Sequence, residues 1–579
     1  MARLRIAPSL RPDLDRLAAL ARGYVDGIQD DVGGTRLERA SVFADLEVKL
    51  NSSRVIQIRG LPGSGKSVLL RQSVQRALDR GPTLFLKADQ LEGRSWVSFA
   101  STHGLSSAAL RDLLIEIGAT GSAILYIDAI DRIEKEHQPV VLDALRTILN
   151  SPLLDNWRIV LTLRDTGIEP LRNWMGGLLV VTGVATVDVE ALDDDEAEML
   201  AKAKPHLRSL LFGPPQVREI VRRPFFAKVL NQSFITSSGS PPFEPRSEVD
   251  LVNNWWSRGG YDATDQNAIE RQRAILELGG LRARHLSEPI RLGRLTQPSL
   301  NLIDQLMVDG ILQQVQRGHT VRFSHDIFFE WSFFHVLADR GGDWLEEIRA
   351  CGEPPAVARV VELLSQSEYA LGEGWARQLT RVASPNMRSQ WTRAWLLGPL
   401  GSANFAGDEN QFAKAVFADD FHFLKKALVW FQAEKTSPNP NILARDLPQD
   451  QRLRFADLLG WPSDFAAWWR LISFLLRRLS DIPVSLYPDL LSVFEVWQNA
   501  LADLQNAPSR SILTQCAERL HDIDEASAAT KPGARSARWN SVPDLSVFRR
   551  SLSSLILRAA RSEPNFADEY LKRCIALVR

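Results

Sequence analysis

The sequence predicts a multidomain protein of the α/β plus α class, in which a parallel-sheet domain is followed by a helical lid, a winged helix and a C-terminal α-helical, repeat-like array. Three observations predict it. Between about residues 53 and 190, short β-branched runs alternate with amphipathic helical stretches, the pattern of βαβ units. A glycine-rich turn, GLPGSGKS, joins the first of those runs to the helix behind it. Beyond residue 190 such runs become scarce and helical periodicity dominates. At 579 residues the chain is too long for a single hydrophobic core, so roughly three or four domains are expected.

Taken in order, residues 1–50 read as an N-terminal helical segment. In the α/β domain, 51–190, the runs SRVIQI (53–58), PTLFLKA (82–88), AILYID (123–128), WRIVLTL (157–163) and GLLVVTG (177–183) supply strands. SVLLRQSVQRAL (67–78), SSAALRDLLIEI (106–117) and PVVLDALRTIL (139–149) supply the helices between them. ALDDDEAEML places Asp193–Asp195 at a helix start, where the helix dipole favours acids, and helices then run through a lid at 191–236. SSGSPPFEPRSE (237–248) reads as an exposed linker. In 249–338, helices precede two strand-like runs, ILQQV (311–315) and HTVRF (319–323), joined at Gly318; helices followed by a small hairpin predict a winged helix. The region 340–579 is nearly all helical, with breaks at 353–355, 437–441 and 526–538. Eleven of the 16 tryptophans follow residue 330, mostly inside amphipathic patterns, so they are expected to pack helix against helix rather than to stack on a ligand.

Composition narrows the partners. With 45% apolar and 24% charged residues the chain is of ordinary globular type, and its net charge of −1 offers no global attraction to nucleic acid or anionic membrane. Cys351, Cys516 and Cys574 form no CxxC pair, which argues against a disulfide framework or a zinc site and fits structural cysteines in a reducing cytoplasm. The apolar stretch FAAWWRLISFLL is interrupted by Arg470, and no run reaches the roughly 18 residues a membrane helix needs. MARLRIAPSLRPDLDRL lacks the continuous apolar core of a secretion signal. The expectation is a cytoplasmic protein without a membrane partner.

The chemistry is concentrated in a few motifs. Gly60, Leu61, Pro62, Gly63, Ser64, Gly65, Lys66 and Ser67 complete GxxxxGK[ST] between a strand and a helix, which is the context a phosphate-binding loop requires. The glycines let the backbone approach phosphate, with Val68 completing the cradle; Lys66 meets the β and γ charges, and Ser67 can ligate Mg2+. In ILYIDAIDRI, Asp128 ends an apolar strand where it can hold the magnesium shell, and Asp131 follows where it can orient an attacking water. The expected cofactors are therefore ATP or ADP with Mg2+. Arg164 ends the next strand, on the carboxyl edge where ligands sit in open α/β sheets, as a candidate γ-phosphate sensor. Pro224 stands in a helical pattern that it must start or kink, and His325-Asp326 follows directly on the second hairpin strand.

The order of phosphate loop, DAID, strand-end arginine, helix-borne proline, winged helix and FSHD resembles the STAND class of P-loop ATPases, the signal-transducing switches that include NACHT and NB-ARC domains and the bacterial antiviral STAND proteins. The resemblance covers roughly residues 33–335. It implies Walker A roles for Lys66 and Ser67, the Walker B magnesium acid in Asp128, the second acid in Asp131 and the sensor arginine in Arg164. It further implies an adenine or ribose contact for Pro224, a reach to the β-phosphate of ADP for His325, and an adenine-side arginine in Arg39. Two departures stand out. Arg222-Arg223-Pro224 lacks the glycine often found two residues before the proline, and Arg132 stands where many NACHT domains carry another acid, which points to slow, regulatory ATP hydrolysis.

Within such a class a helical sensor usually follows the winged helix, so a protein trigger is expected at the C-terminal helices, with self-oligomerisation on activation. The first 50 residues are too few to bury a catalytic effector, so a separate effector protein is expected. Two other readings compete. One is an AAA+-like ATPase that remodels protein or nucleic acid, although no clear arginine finger is visible. The other is a nucleotide-stabilised winged-helix regulator of DNA, although PSLNLIDQLMVDG (298–310), the segment that would face a groove, contains no arginine or lysine.

Overall fold

The computed structural model describes residues 10–501, apart from 107–108, 165–173, 176–183, 237–242, 262–264, 287, 373, 444, 446–447 and 484–485, together with residues 568 and 572. Two compact units divide the chain, 1–399 and 400–579.

The first unit is built on a parallel sheet. A short hairpin, β1 (Asp31–Val32) and β2 (Thr35–Arg36), precedes β3 (Val55–Arg59), β4 (Leu84–Lys87), β5 (Ile124–Asp128), β6 (Arg158–Thr162) and β7 (Val184–Asp188). The last five form one sheet in the order β4-β5-β6-β3-β7, each neighbouring pair parallel. The strands are nearly continuous in apolar residues because both faces are covered by helices. Val55 joins a core cluster with Leu125, Ile159 and Ile148, whereas Ile56 and Ile58 join a second with Leu70, Val74 and Tyr126, as the period of two dictates. The helices Lys66–Leu78, Leu110–Thr120 and Gln138–Asn150 lie where their periodicity predicts, and a further one, Trp96–Thr102, opens on a Ser95 capping box. β7 is VATVD; the expected run GLLVVTG lies outside the described residues.

The helix Arg11–Asp26, read from the sequence as a segment apart, packs into this domain. Leu14 and Leu17 enter one core cluster, Ala18, Ala21, Tyr24 and Val25 the other, and Tyr24 meets Phe85 of edge strand β4 edge-on at 5.4 Å. It thereby covers an edge that would otherwise offer unpaired backbone.

After β7, Asp193 caps the helix Asp194–Ala203 in a box with Glu196, and the helices Pro215–Val221 and Pro224–Thr236 follow. Next come the helices Glu248–Ser257 and Asp265–Arg284, then a three-stranded antiparallel sheet, β8 (Ile290–Arg291), β9 (Leu312–Gln316) and β10 (Thr320–Phe323), in the order β8-β10-β9. Gly318 turns between β9 and β10 with φ +72°, and the helices Gln297–Leu300 and Ile303–Val308 lie between β8 and β9. The helix Asp326–Asp339 leaves β10 and is buried along most of its length. The helices Ala358–Leu371, Gly374–Val382 and Ser389–Leu397 still belong to this unit, so the region expected at 340–579 is divided near residue 399. Trp331, Trp344, Trp375, Trp391 and Trp395 are all fully buried here.

The second unit is helical where it is described. Glu409–Val416, Ala418–Lys435, Gln449–Leu459, Phe465–Arg477 and Tyr487–Leu501 pack around Phe412, Phe474 and Trp468, with a two-residue ladder between β11 (Thr436–Ser437) and β12 (Trp461–Pro462). The break expected at 526–538, and Cys516 and Cys574, lie outside the described residues. Cys351 is a half-buried free thiol, its pKa pushed up to about 11 by burial. Among the described residues no helix is long and apolar enough to cross a membrane.

Candidate functional site

Strand order creates the site. Because β6 lies between β3 and β5, three chain segments meet at the carboxyl edge: the glycine-rich loop after β3, the end of β5 and the end of β6. Lys66 opens the helix behind the loop, so the N-terminal end of that helix, the positive end of its dipole, borders the loop. Gly63 and Gly65 adopt left-handed φ of +80° and +102°. Gly63 has a second reason to be glycine, since a Cβ there would sit 3.2 Å from Phe225 Cβ and 3.4 Å from Ile327 Cδ1. Lys66 Nζ donates to the carbonyls of Gly60 and Leu61 at 2.8 and 2.9 Å.

Asp128 is buried at the end of β5. Ser67 Oγ donates to its Oδ1 at 3.2 Å, and Thr162 Oγ1 donates to the same oxygen at 2.5 Å while accepting from Ala129 N at 2.7 Å. Adjacent ligands on an octahedral Mg2+ stand roughly 3 Å apart, so the Ser67 hydroxyl and Asp128 carboxylate fit one such ion. Ala129 takes a left-handed φ of +55°, an uncommon conformation for alanine that turns the chain into the short 3-10 segment Ile130–Arg132. Asp131 thereby lines the same cleft, with its Oδ1 buried and without a hydrogen-bond partner. Burial raises its pKa, and Arg164, Arg132 and Lys66 only partly offset this.

Three further segments line the cleft. Pro224 is the first residue of its helix, a position that needs no N–H, and Phe225 N donates to Gly63 O at 3.2 Å. His325 caps the helix Asp326–Asp339: its Nδ1 accepts from Ile327 N at 3.1 Å, which leaves the ring proton on Nε2. Its ring lies 4.1 Å from that of Phe225, and burial holds its pKa down at about 4. The stretch 27–32 and Leu37 form another wall, which sequence reasoning missed. Arg39 also lines the cleft, but it donates to Ser64 O at 3.1 Å and Glu190 O at 3.0 Å and pairs with Glu196 at 2.7 Å, so it braces the loop.

Arg164 ends up at the centre of a buried charge network. It donates to Glu330 Oε1 at 2.6 Å; Arg132 pairs with Asp326 and lies 4.0 Å from Glu330. Glu330 also pairs with Arg359, which pairs with Glu248, and Glu248 accepts from Trp331 Nε1 at 3.0 Å. Burial pushes the Asp326 and Glu330 carboxyls up, but the arginines outweigh it, Arg132 foremost at Asp326 and Arg164 at Glu330, and both stay below the usual carboxylate range. The one signal in the sequence was Glu330 itself, a lone acid inside the apolar run IFFEWSFF, where a charge must find a partner. Thr162, Arg359 and Glu248 carried no such mark.

No family model matches the chain, and no curated protein matches it. Among solved structures, the Walker-type ATPase of Pyrococcus abyssi is 17% identical with a TM-score of 0.26, covering 51% of this chain and 96% of its own. The ORC2 protein of Aeropyrum pernix, in ADPNP-ADP complexes, is 13% identical at 0.29, covering 54% and 97%. A RuvB variant of Thermotoga maritima is 13% identical at 0.21, covering 49% and 92%. Likenesses this slight add nothing to the geometry: a parallel sheet whose first strand and helix are joined by a complete phosphate-binding loop is the P-loop NTPase fold, and the cleft on its edge can hold a polyphosphate with a divalent cation.

Proposed function

We propose that the chain is a STAND-type ATPase switch of the cytoplasm, locked by ADP at rest and opened, with self-assembly, when a protein trigger engages its C-terminal helices, in bacterial defence or stress signalling. One observation carries the reading. The helix that contributes His325 to the cleft also contributes Asp326 and Glu330, which occupy Arg132 and Arg164 on the α/β domain. A residue facing the nucleotide and the residues that restrain the sensor arginine thus move as one body. On this reading the region 249–338 is a winged helix, and Lys66 with the loop amides holds the phosphates. Ser67 and Asp128 hold Mg2+, Asp131 orients the attacking water, and His325 Nε2–H donates to the β-phosphate of ADP. Pro224, the stretch 27–32 and Leu37 enclose the nucleoside end. A motor would need Arg164 available at every turnover, whereas a lock gains from holding it. The test is the nucleotide that co-purifies: the wild-type chain should carry close to stoichiometric ADP and turn over ATP slowly, and rapid steady hydrolysis by a chain purified empty would sink the switch reading.

A further inference from the structure

Among the described residues, one cluster outside the nucleotide cleft's own cation pair has the chemistry of a metal centre. His137 precedes the helix Gln138–Asn150 and is buried, only 8% exposed. Its Nδ1 lies 2.7 Å from Gly93 O, and since a carbonyl only accepts, Nδ1 carries the proton. In the neutral ring Nε2 then presents its lone pair, and that buried nitrogen has no hydrogen-bond partner. Glu136 Oε1 lies 3.7 Å from it, too far for a hydrogen bond, and one ligand atom from each of Glu134, Glu136 and His137 lies within 4.8 Å of the others.

We propose that these three residues form a second divalent-cation site, distinct from the Ser67–Asp128 pair, which takes a transition metal of the Zn2+ class. The imidazole decides the class, because Mg2+ and Ca2+ prefer oxygen ligands whereas a neutral histidine nitrogen suits Zn2+, Co2+ or Ni2+. The Gly93 carbonyl supplies the outer contact that fixes the tautomer of a metal-ligating histidine. Around one tetrahedral ion such ligand atoms stand roughly 3.3 Å apart, so the Glu136–His137 pair at 3.7 Å is already near that spacing; the other Glu136 oxygen accepts from Arg94 at 3.3 Å, an exposed contact that metal binding would have to share or displace. Two carboxylates balance the dication, and three protein ligands leave a position open to water. Glu134 also lines the nucleotide cleft, so the metal would tie the loop behind Asp131 to the Gly93 loop. None of this depends on the switch reading.

The experiment is a Co2+ titration of the untagged, EDTA-stripped full chain, followed by visible ligand-field absorption and displacement by Zn2+. Asp128→Asn, which removes the cleft's own cation ligand, should still bind one equivalent of Co2+ displaced by Zn2+. In that background His137→Ala should abolish the absorption, and Glu136→Gln, at a half-exposed position that leaves the fold intact, should weaken binding at least tenfold with an unchanged melting temperature. The proposal is overturned if the Asp128→Asn chain takes up no Co2+, or if Glu136→Gln binds it as tightly as its parent, whatever the folding of His137→Ala.

Discussion

Individual side chains carry the sharpest expectations. Lys66 sits where a phosphate charge would replace its two carbonyl partners, and a charge-assisted contact is worth about 1.5 to 3 kcal/mol. Lys66→Ala should therefore weaken ADP binding by one to two orders of magnitude or more, read by calorimetry, with the helical content unchanged; wild-type affinity would remove the loop's assignment. Asp131→Asn keeps the shape of a buried group and leaves Asp128 in place, so binding should persist while turnover falls on the order of a hundredfold. His325 has a thermodynamic signature. Its folded pKa, about 4, lies below the ordinary 6.5, so its neutral form stabilises the fold fully above about pH 6.5, and that contribution is lost as the pH falls toward 4. The shift corresponds to on the order of 3 kcal/mol, and His335, held down at about 3 by burial, acts with the same sign. The urea midpoint should drop from pH 7 to pH 5, and His325→Asn, which can still cap the helix, should remove a large part of that drop. The positions of Lys66 and Asp131 were also the most legible, because a motif names residue types at fixed spacing, whereas His325 was reached through a resemblance and His335 carried no mark. The partners of Arg164 and Arg132 were not legible, since they lie some 166 and 194 positions away along the chain.

The helix Asp326–Asp339 is the element on which the lock would turn. Its cap faces the cleft, Glu330 is fully buried against two arginines, and its apolar residues pack on Phe225 and Trp255. Removing the Glu330 charge takes away the carboxylate that Arg164 bonds, while Arg359 keeps Glu248, and breaking a buried pair of this kind costs about 3 to 5 kcal/mol. Moving a two-state switch from 99:1 to 1:99 takes about 5.5 kcal/mol. Glu330→Gln should therefore be partly active without trigger, with a lower melting temperature and raised basal oligomerisation by light scattering. His325→Ala, which loses one contact worth about 1.5 to 3 kcal/mol, should retain less ADP but open less. If Glu330→Gln melted like the wild type and stayed monomeric, the network would not be holding anything closed.

At the scale of the whole chain, the unit boundary near residue 399 relocates the experiment that separates sensing from nucleotide binding. A chain ending near residue 345 would lose Arg359, the partner of both Glu330 and Glu248. A chain ending at residue 399 keeps that network, and should bind ADP like the full protein yet fail to respond to a trigger, as native mass spectrometry with and without trigger would show; a retained response would place the sensor within the first unit. The sequence by itself determined the α/β domain, the phosphate loop, the two acids and the order of the segments behind them, because strand periodicity, glycine conformation and the phosphate motif are local properties of consecutive residues. Tertiary structure alone decided that the N-terminal helix belongs to the sheet, that Arg39 braces the loop, and that Arg132 and Arg164 are held from another segment, because burial brings distant charges into a low-dielectric space where each must find its partner, and no local pattern records which partner that is.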